Sequence, residues 1–160
     1  MRKTAFAATA ILLAAMTALA VTFVQDDLDL RGMLSRHDDQ RVVVRFDPGG
    51  SVADYLRWYQ RLADSGIKIQ IAGTCISACT LVLTLPPSLV CILPSASLGF
   101  HLASDANGRP LPDETAELVK AVYPPKIQKW IKDHGPLTVN VIYLSGAEAI
   151  KMGVLPACKE

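Results

Sequence analysis

The chain predicts an α/β fold, repeated strand–helix units around a mostly parallel sheet with helices toward the C-terminus, and three observations carry that expectation. Apolar runs within Arg41–Phe46, Ile67–Ala72 and Leu89–Leu93 have the length and the Val/Ile/Leu content of buried strands. Between them lie stretches with helical spacing: Val52, Leu56, Tyr59 and Ala63, and then Ile76 to Leu85. Each change of pattern is marked by glycine, proline or a capping residue. Alternation of this kind implies right-handed crossovers and parallel strand pairing.

Taken in order, the chain opens on Arg2 and Lys3, followed by an uncharged apolar run from Ala5. Ala18-Leu19-Ala20 has the small-x-small form of a signal cleavage site, so residues 1–20 are expected to be a signal peptide. The alternative is an uncleaved anchor, because the apolar run continues to Val24 and reaches about 20 residues, enough to span a bilayer. One domain, 21–160, remains. Val21–Val24 suggests a short strand, and Leu28, Leu30, Met33 and Leu34 a short amphipathic helix. After the strand Arg41–Phe46, Asp47-Pro48-Gly49-Gly50 breaks the chain, Ser51 and Asp54 approximate a capping box, and Gly66 closes the first helix. The strand from Ile67 is expected to stop at Gly73, with a helix following from Ile76. Leu98–His101 reads as a short extended piece and Ser104–Pro112 as a surface loop. Helices are expected at Asp113–Val122 and, beyond Pro124-Pro125, at Lys126–Asp133. Ser145 with Glu148 forms a second capping box opening a helix to Met152, with Gly153 just past its end.

The chain has 160 residues, 51% hydrophobic and 19% charged, which suits one globular domain. Losing Arg2 and Lys3 takes its formal charge from +1 to −1. Neither value, nor any basic cluster, supports nucleic-acid or anionic-membrane binding. Membrane association is expected only if the N-terminal segment stays uncleaved. All four cysteines, Cys75, Cys79, Cys91 and Cys158, follow the leader. An even count in an oxidising compartment suggests two disulfides, for which three connectivities exist. Zinc is the competing use of Cys75, Cys79 and His101; their spacing matches no common finger, and no metal is expected. No cofactor is called for.

The chemistry gathers around Gly73-Thr74-Cys75-Ile76-Ser77. A strand, a glycine-bearing turn and a helix N-terminus present a serine hydroxyl beside unpaired backbone N–H groups, where the helix dipole favours negative charge. Each residue also has a plainer role. Ser77 alone is an ordinary first-turn residue, Pro48-Gly49-Gly50 alone a tight turn, and His101 alone a half-buried histidine. Their combination points to a site. His37 and His134 stand in polar surroundings and read as surface residues.

Four ordered segments give the chain a familial cast. Asp47-Pro-Gly-Gly-Ser-Val52, Gly73-x-x-x-Ser77, Leu93-Pro-Ser-Ala-Ser-Leu-Gly-Phe-His101 and Leu144-Ser-Gly-Ala-Glu-Ala-Ile-Lys-Met-Gly-Val154 resemble, in order, landmarks of the Clp protease proteolytic subunit within the Clp/crotonase superfamily. The likeness covers roughly residues 41–154. It implies a single-domain Clp/crotonase-like fold and a serine hydrolase, most simply a peptidase, acting on a peptide or protein substrate. By this resemblance Ser77 is the nucleophile and His101 the general base. Gly50, supported by Gly49, and the N–H of Ala78 are the oxyanion hole. That agrees with what hydrolysis requires: a base to activate a weak nucleophile and donors where the carbonyl oxygen becomes negative.

The chain departs from the family in three places. The family's aspartate corresponds to Val141, so Asn140 beside it is the candidate orienter of His101, with Asp105 and Asp113 as alternatives. Ser77 is flanked by Cys75 and Cys79. The segment from His101 to Leu144 is also shorter than the family's ring-building region, which counts against a tetradecameric barrel while allowing a smaller homo-oligomer. The expected location is periplasmic or secreted in a bacterium, or inner-membrane anchored with the domain outside the cytoplasm. The competing function is a catalytically degraded Clp-like domain that binds or supports other molecules in the periplasm. Crotonase-type acyl-CoA chemistry fits poorly, because no basic patch for the adenine-nucleotide phosphates is visible.

Overall fold

The computed structural model describes residues 35–36, 41–105 and 107–159. The expected leader or anchor, the expected strand at Val21–Val24, the helical spacing at Leu28–Leu34 and His37 lie outside the described residues. Among those described, six strands form one sheet: β1 (Ser35–Arg36), β2 (Arg41–Asp47), β3 (Lys68–Ile76), β4 (Val90–Ile92), β5 (Ser97–Phe100) and β6 (Ile142–Ser145). β2, β4 and β5 all run parallel to β3, whereas β1 and β6 pair antiparallel to β2 and β5. The helices are α1 (Val52–Asp64), α2 (Asp113–Ala121), α3 (Pro125–Asp133) and α4 (Gly146–Lys151), with a 3-10 helix at Ser77–Thr84. The mixed α/β architecture with a mostly parallel sheet is what the alternation predicts.

β3 is the centre of this arrangement. Its Ile69, Ile71 and Cys75 are fully buried. One of its edges carries β2; the other is shared, with Ile69–Ile71 taking β4 and Thr74–Ile76 taking β5. β2 is legible through the run Val42-Val43-Val44, and β3 through alternation, with Ile69 and Ile71 buried on either side of Gln70. α1 begins where Ser51 Oγ accepts from the N–H of Asp54, and it buries Tyr55, Tyr59 and Leu62. It packs on the 3-10 helix, whose Ala78 to Leu83 are all buried. α3 buries Ile127, Trp130 and Ile131, and α4 opens where Ser145 Oγ accepts from the N–H of Glu148. α2, by contrast, buries none of its side chains.

Three expectations are corrected. First, β3 does not stop at Gly73 but continues to Ile76. Val44 pairs with Ile71 and Phe46 with Thr74, so Ala72 and Gly73 together oppose Arg45, a β-bulge. A Cβ on Gly73 would lie 1.8 Å from the Arg45 carbonyl oxygen. The glycine is there for close backbone approach, not for a turn. Second, Ser77–Thr84 is a 3-10 helix rather than an α-helix. Such runs are usually short; here Thr80 Oγ1 donates to the Ser77 carbonyl and Thr84 Oγ1 to the Leu81 carbonyl, both at the three-residue spacing the tighter coil favours. Third, β6 adds an antiparallel edge strand where no strand was expected. Its pairing with β5, Phe100 with Ile142 through Ser97 with Ser145, supplies an order that local pattern did not.

The cysteines pair as Cys75–Cys79 and Cys91–Cys158. The second bridge joins β4 to the C-terminal segment, which also bonds to it through Ile92 N–H to the Pro156 carbonyl and Cys158 N–H to the Ile92 carbonyl. Two disulfides indicate folding in an oxidising compartment. Among the described residues no helix is long and apolar enough to cross a membrane.

The bulge gives a contrast between two glycines. Gly66 has φ +65 and open space around its Cα, so Gly66→Ala carries only conformational strain, about 1 kcal/mol. Gly73→Ala has to force β2 and β3 apart and should cost roughly 3 kcal/mol. Urea unfolding of the two variants measures this; equal losses would mean the strands do not meet as closely as described.

Candidate functional site

The C-terminal ends of the neighbouring parallel strands β2, β3 and β5 open onto one side of the sheet, where ligands of parallel α/β proteins usually sit. Each delivers one part of the site. β2 ends at Asp47 and runs into Pro48-Gly49-Gly50; β3 ends at Ile76 and runs into Ser77; β5 ends at Phe100 and runs into His101. Asp47 pairs with Cys75, and Ile76 with Gly99. Ser77 and His101 thus leave adjacent strands, ~4.8 Å apart, just past their last paired residues.

Ser77 is the non-glycine residue with positive φ, +57, among the described residues. The left-handed region costs an L-residue roughly 1–2 kcal/mol and persists only where surrounding structure imposes it. Four neighbours impose it here. The Cys75–Cys79 bridge spans the turn with its Cα atoms 5.4 Å apart. Thr80 Oγ1 donates to the Ser77 carbonyl at 2.6 Å. That uses the single hydroxyl hydrogen of Thr80, so the buried Tyr123 hydroxyl, 2.6 Å away, donates to it in turn. Tyr59 donates to the Cys79 carbonyl at 2.7 Å.

The double-glycine corner is pressed against this turn. A Cβ on Gly49 would lie 2.6 Å from the Ile76 carbonyl oxygen, 2.6 Å from Ser77 Cβ and 2.8 Å from Ala78 N. Gly49 also has φ +86. Both features require glycine. Its N–H donates to Asp47 Oδ1 at 2.8 Å, which fixes the corner and gives Gly49 a supporting role, with Gly50 the next amide in line. Ala78 is buried in the first turn of the 3-10 helix, where N–H groups lack partners within the helix. The corner, Ser77 and the start of the 3-10 helix thus meet at one place.

His101 is half-buried, and its Nδ1 lies 2.8 Å from the Leu102 carbonyl oxygen. A carbonyl only accepts, so this contact selects the tautomer with hydrogen on Nδ1 and leaves Nε2 as the basic nitrogen. The orienter of the ring is therefore main chain. Asn140 is exposed, and its backbone N–H bonds to Thr138 Oγ1. Asp105 is occupied by the backbone N–H groups of Asn107 and Arg109 and by the Arg109 guanidinium, and the Arg109 backbone N–H holds its carboxyl below the usual range. Asp113 is exposed at the start of α2. None of the three takes the aspartate's place on Nδ1. Val141 instead packs its side chain over Gly99, where a Cβ would come within 2.8 Å of it. His134 is exposed as expected, stacked on Trp130 at 4.1 Å.

Two buried groups beside the corner were missed. Asp47, 1% exposed, takes both Gly49 N–H and the Tyr55 hydroxyl on Oδ1, the latter at 2.6 Å. Asp-Pro-Gly-Gly does carry a signal, since aspartate commonly bonds the amide two residues on. Tyr55 and Tyr59 carry only the core spacing of a helix. A groove of ≈ 980 Å³ begins at Leu102, next to His101, and runs between α2, α3 and the 135–137 loop. Ala116, Ile131 and Leu137 give it apolar walls, and its charged lining is mixed, with Asp113, Glu117 and Asp133 beside Lys120, Lys129 and Lys132. No family model and no curated protein matches this chain.

Burial drives the Tyr55 phenol strongly upward in pKa, with the Asp47 bond and charge adding to it, and burial likewise raises Tyr59 and Tyr123. Because these folded-state values lie above the unfolded one, their contribution to stability is complete below pH ~10 and lost as pH rises beyond it. Urea midpoints should hold steady from pH 7 to 9 and fall above about pH 10, less steeply in Tyr55→Phe. A parallel decline in both proteins would remove Tyr55 from this account.

Proposed function

We propose that this chain is a serine hydrolase of the Clp/crotonase type, most simply a peptidase. Ser77 is the nucleophile and His101 the general base, and the amides of Gly50 and Ala78 receive the oxyanion. The observation that carries the proposal is the left-handed Ser77 with Gly49 packed against its Cβ and against the Ala78 nitrogen. Strain of that kind clusters at functional sites. His101 Nε2 accepts the Ser77 proton as the hydroxyl oxygen attacks the scissile carbonyl, then returns it to the leaving amine; water resolves the acyl-enzyme by the same route. Nδ1 bonds to the Leu102 carbonyl in place of a carboxylate, which suits slow turnover. The two disulfides suit the bacterial periplasm or a secreted protein.

One observation favours a second reading. His101 has a carbonyl and not a carboxyl group on Nδ1, as a degraded member of the same fold, kept for binding, would have. A fluorophosphonate probe separates the two, because it reports an activated serine without requiring the substrate. Expected is one adduct on the Ser77 peptide by mass spectrometry, absent in Ser77→Ala and slowed about 100-fold or more in His101→Ala. An unlabelled folded protein beside a labelled control hydrolase would establish the binding role instead.

A further inference from the structure

We infer that Asp47 is a positioning residue for the oxyanion hole, and that it works with Tyr55 and Tyr59 of α1 to hold the double-glycine corner and the nucleophile turn in one register. The inference rests on the hydrolase reading for its catalytic consequence but not for its geometry. Asp47 belongs to the end of β2, in register with Cys75 at the end of β3. Its Oδ1 receives two donors from different elements: the Gly49 N–H from the corner and the Tyr55 hydroxyl from α1. One helical turn on, Tyr59 donates from the same helix to the Cys79 carbonyl, inside the turn that carries Ser77. The glycine corner and the nucleophile turn therefore both hang from one helix face, on two phenols whose rings meet edge to face at 5.8 Å.

A turn-capping role explains only half of this. An Asp-Pro-Gly-Gly turn needs the bond to Gly49 N–H and nothing more, and it commonly lies at the surface. Asp47 is 1% exposed and is met by a hydroxyl from another element, which a surface turn does not require. A carboxyl oxygen has the lone pairs to accept both donors at once, so the position of Gly49 depends on where α1 holds Tyr55. With the Gly49 N–H committed to Asp47, the Gly50 amide is left to face the oxyanion. The spacing between that amide and Ala78 N is then a property of the Asp47–Tyr55–Tyr59 frame. Displacements of about 1 Å in such donors change rates by about 100-fold.

The test uses the full chain and the kinetics of Ser77 phosphonylation by a fluorophosphonate, resolved into a maximal rate and a half-saturating concentration. Tyr55→Phe should lower the maximal rate about 10-fold and Asp47→Ala about 100-fold with little change in half-saturation. Asp47→Asn, which keeps an oxygen at Oδ1, should recover most of the rate. In parallel, amide NMR of the untreated protein should show the Ala78 amide shifting in Tyr55→Phe as well as that of Gly50, which lies beside the Tyr55 ring. A folded Tyr55→Phe with unchanged maximal rate and unmoved Ala78 amide would overturn the inference and leave Asp47 as a turn cap. If the wild-type chain takes no label, the hydrolase reading fails, and the Ala78 amide in Tyr55→Phe still decides the positioning frame for or against. That arm also serves if Asp47→Ala does not fold.

Discussion

One backbone conformation organises this molecule: Ser77 held at φ +57 where β3 gives way to the 3-10 helix. Left to itself a serine would relax out of that region. It is kept there by a disulfide across the turn, by the Tyr123–Thr80 relay onto its carbonyl, by Tyr59 on the Cys79 carbonyl, and by a glycine corner packed against its Cβ. These restraints come from β2, α1, β3 and the segment joining α2 to α3. The strain is thus spread over much of the domain, which is what keeping a marginally unfavourable residue in place requires.

The rest of the fold can be understood as the means of bringing that turn to its partners. The β3 bulge at Ala72-Gly73 lets β2 stay paired up to Asp47, so the corner arrives beside Cys75. The split edge of β3, β4 first and β5 after it, brings the strand preceding His101 alongside Thr74–Ile76. β6 then seals the outer side of β5, with Val141 packed over Gly99. Behind that strand edge the His101 Nδ1 meets a peptide carbonyl, that of Leu102, and no carboxylate.

Much of this was legible because it is local. The capping boxes at Ser51 and Ser145 and the helix ends at Gly66 and Gly153 depend on neighbours in the chain, and they lie where the pattern put them. β2 announces itself through the unbroken Val42-Val43-Val44, and β3 through the alternation of Ile69 and Ile71 with Lys68 and Gln70. Gly73 was misjudged because its need for no side chain comes from Arg45, a residue on another strand. β6 was overlooked because four residues between a proline-bearing segment and a helix have no period of their own. Of the candidate site, Ser77, His101 and the glycine pair are named by the sequence, and the structure sets them just past the ends of β3, β5 and β2. The main-chain partner of His101 could not, since a carbonyl has no letter. Asp47 was read as part of a turn, and its burial under Tyr55 is a tertiary fact. The cysteines foretold two bridges but not which sulfur meets which.

The central claim is that Ser77, His101 and the amides of Gly50 and Ala78 converge on one reacting centre. A crystal structure of the phosphonylated protein addresses it most directly. The account predicts phosphorus on Ser77 Oγ, its anionic oxygen about 3 Å from both amide nitrogens, and His101 Nε2 on the side where the leaving group departs. Phosphorus on another residue, an oxygen turned to solvent away from the glycine corner, or an imidazole facing elsewhere would contradict it.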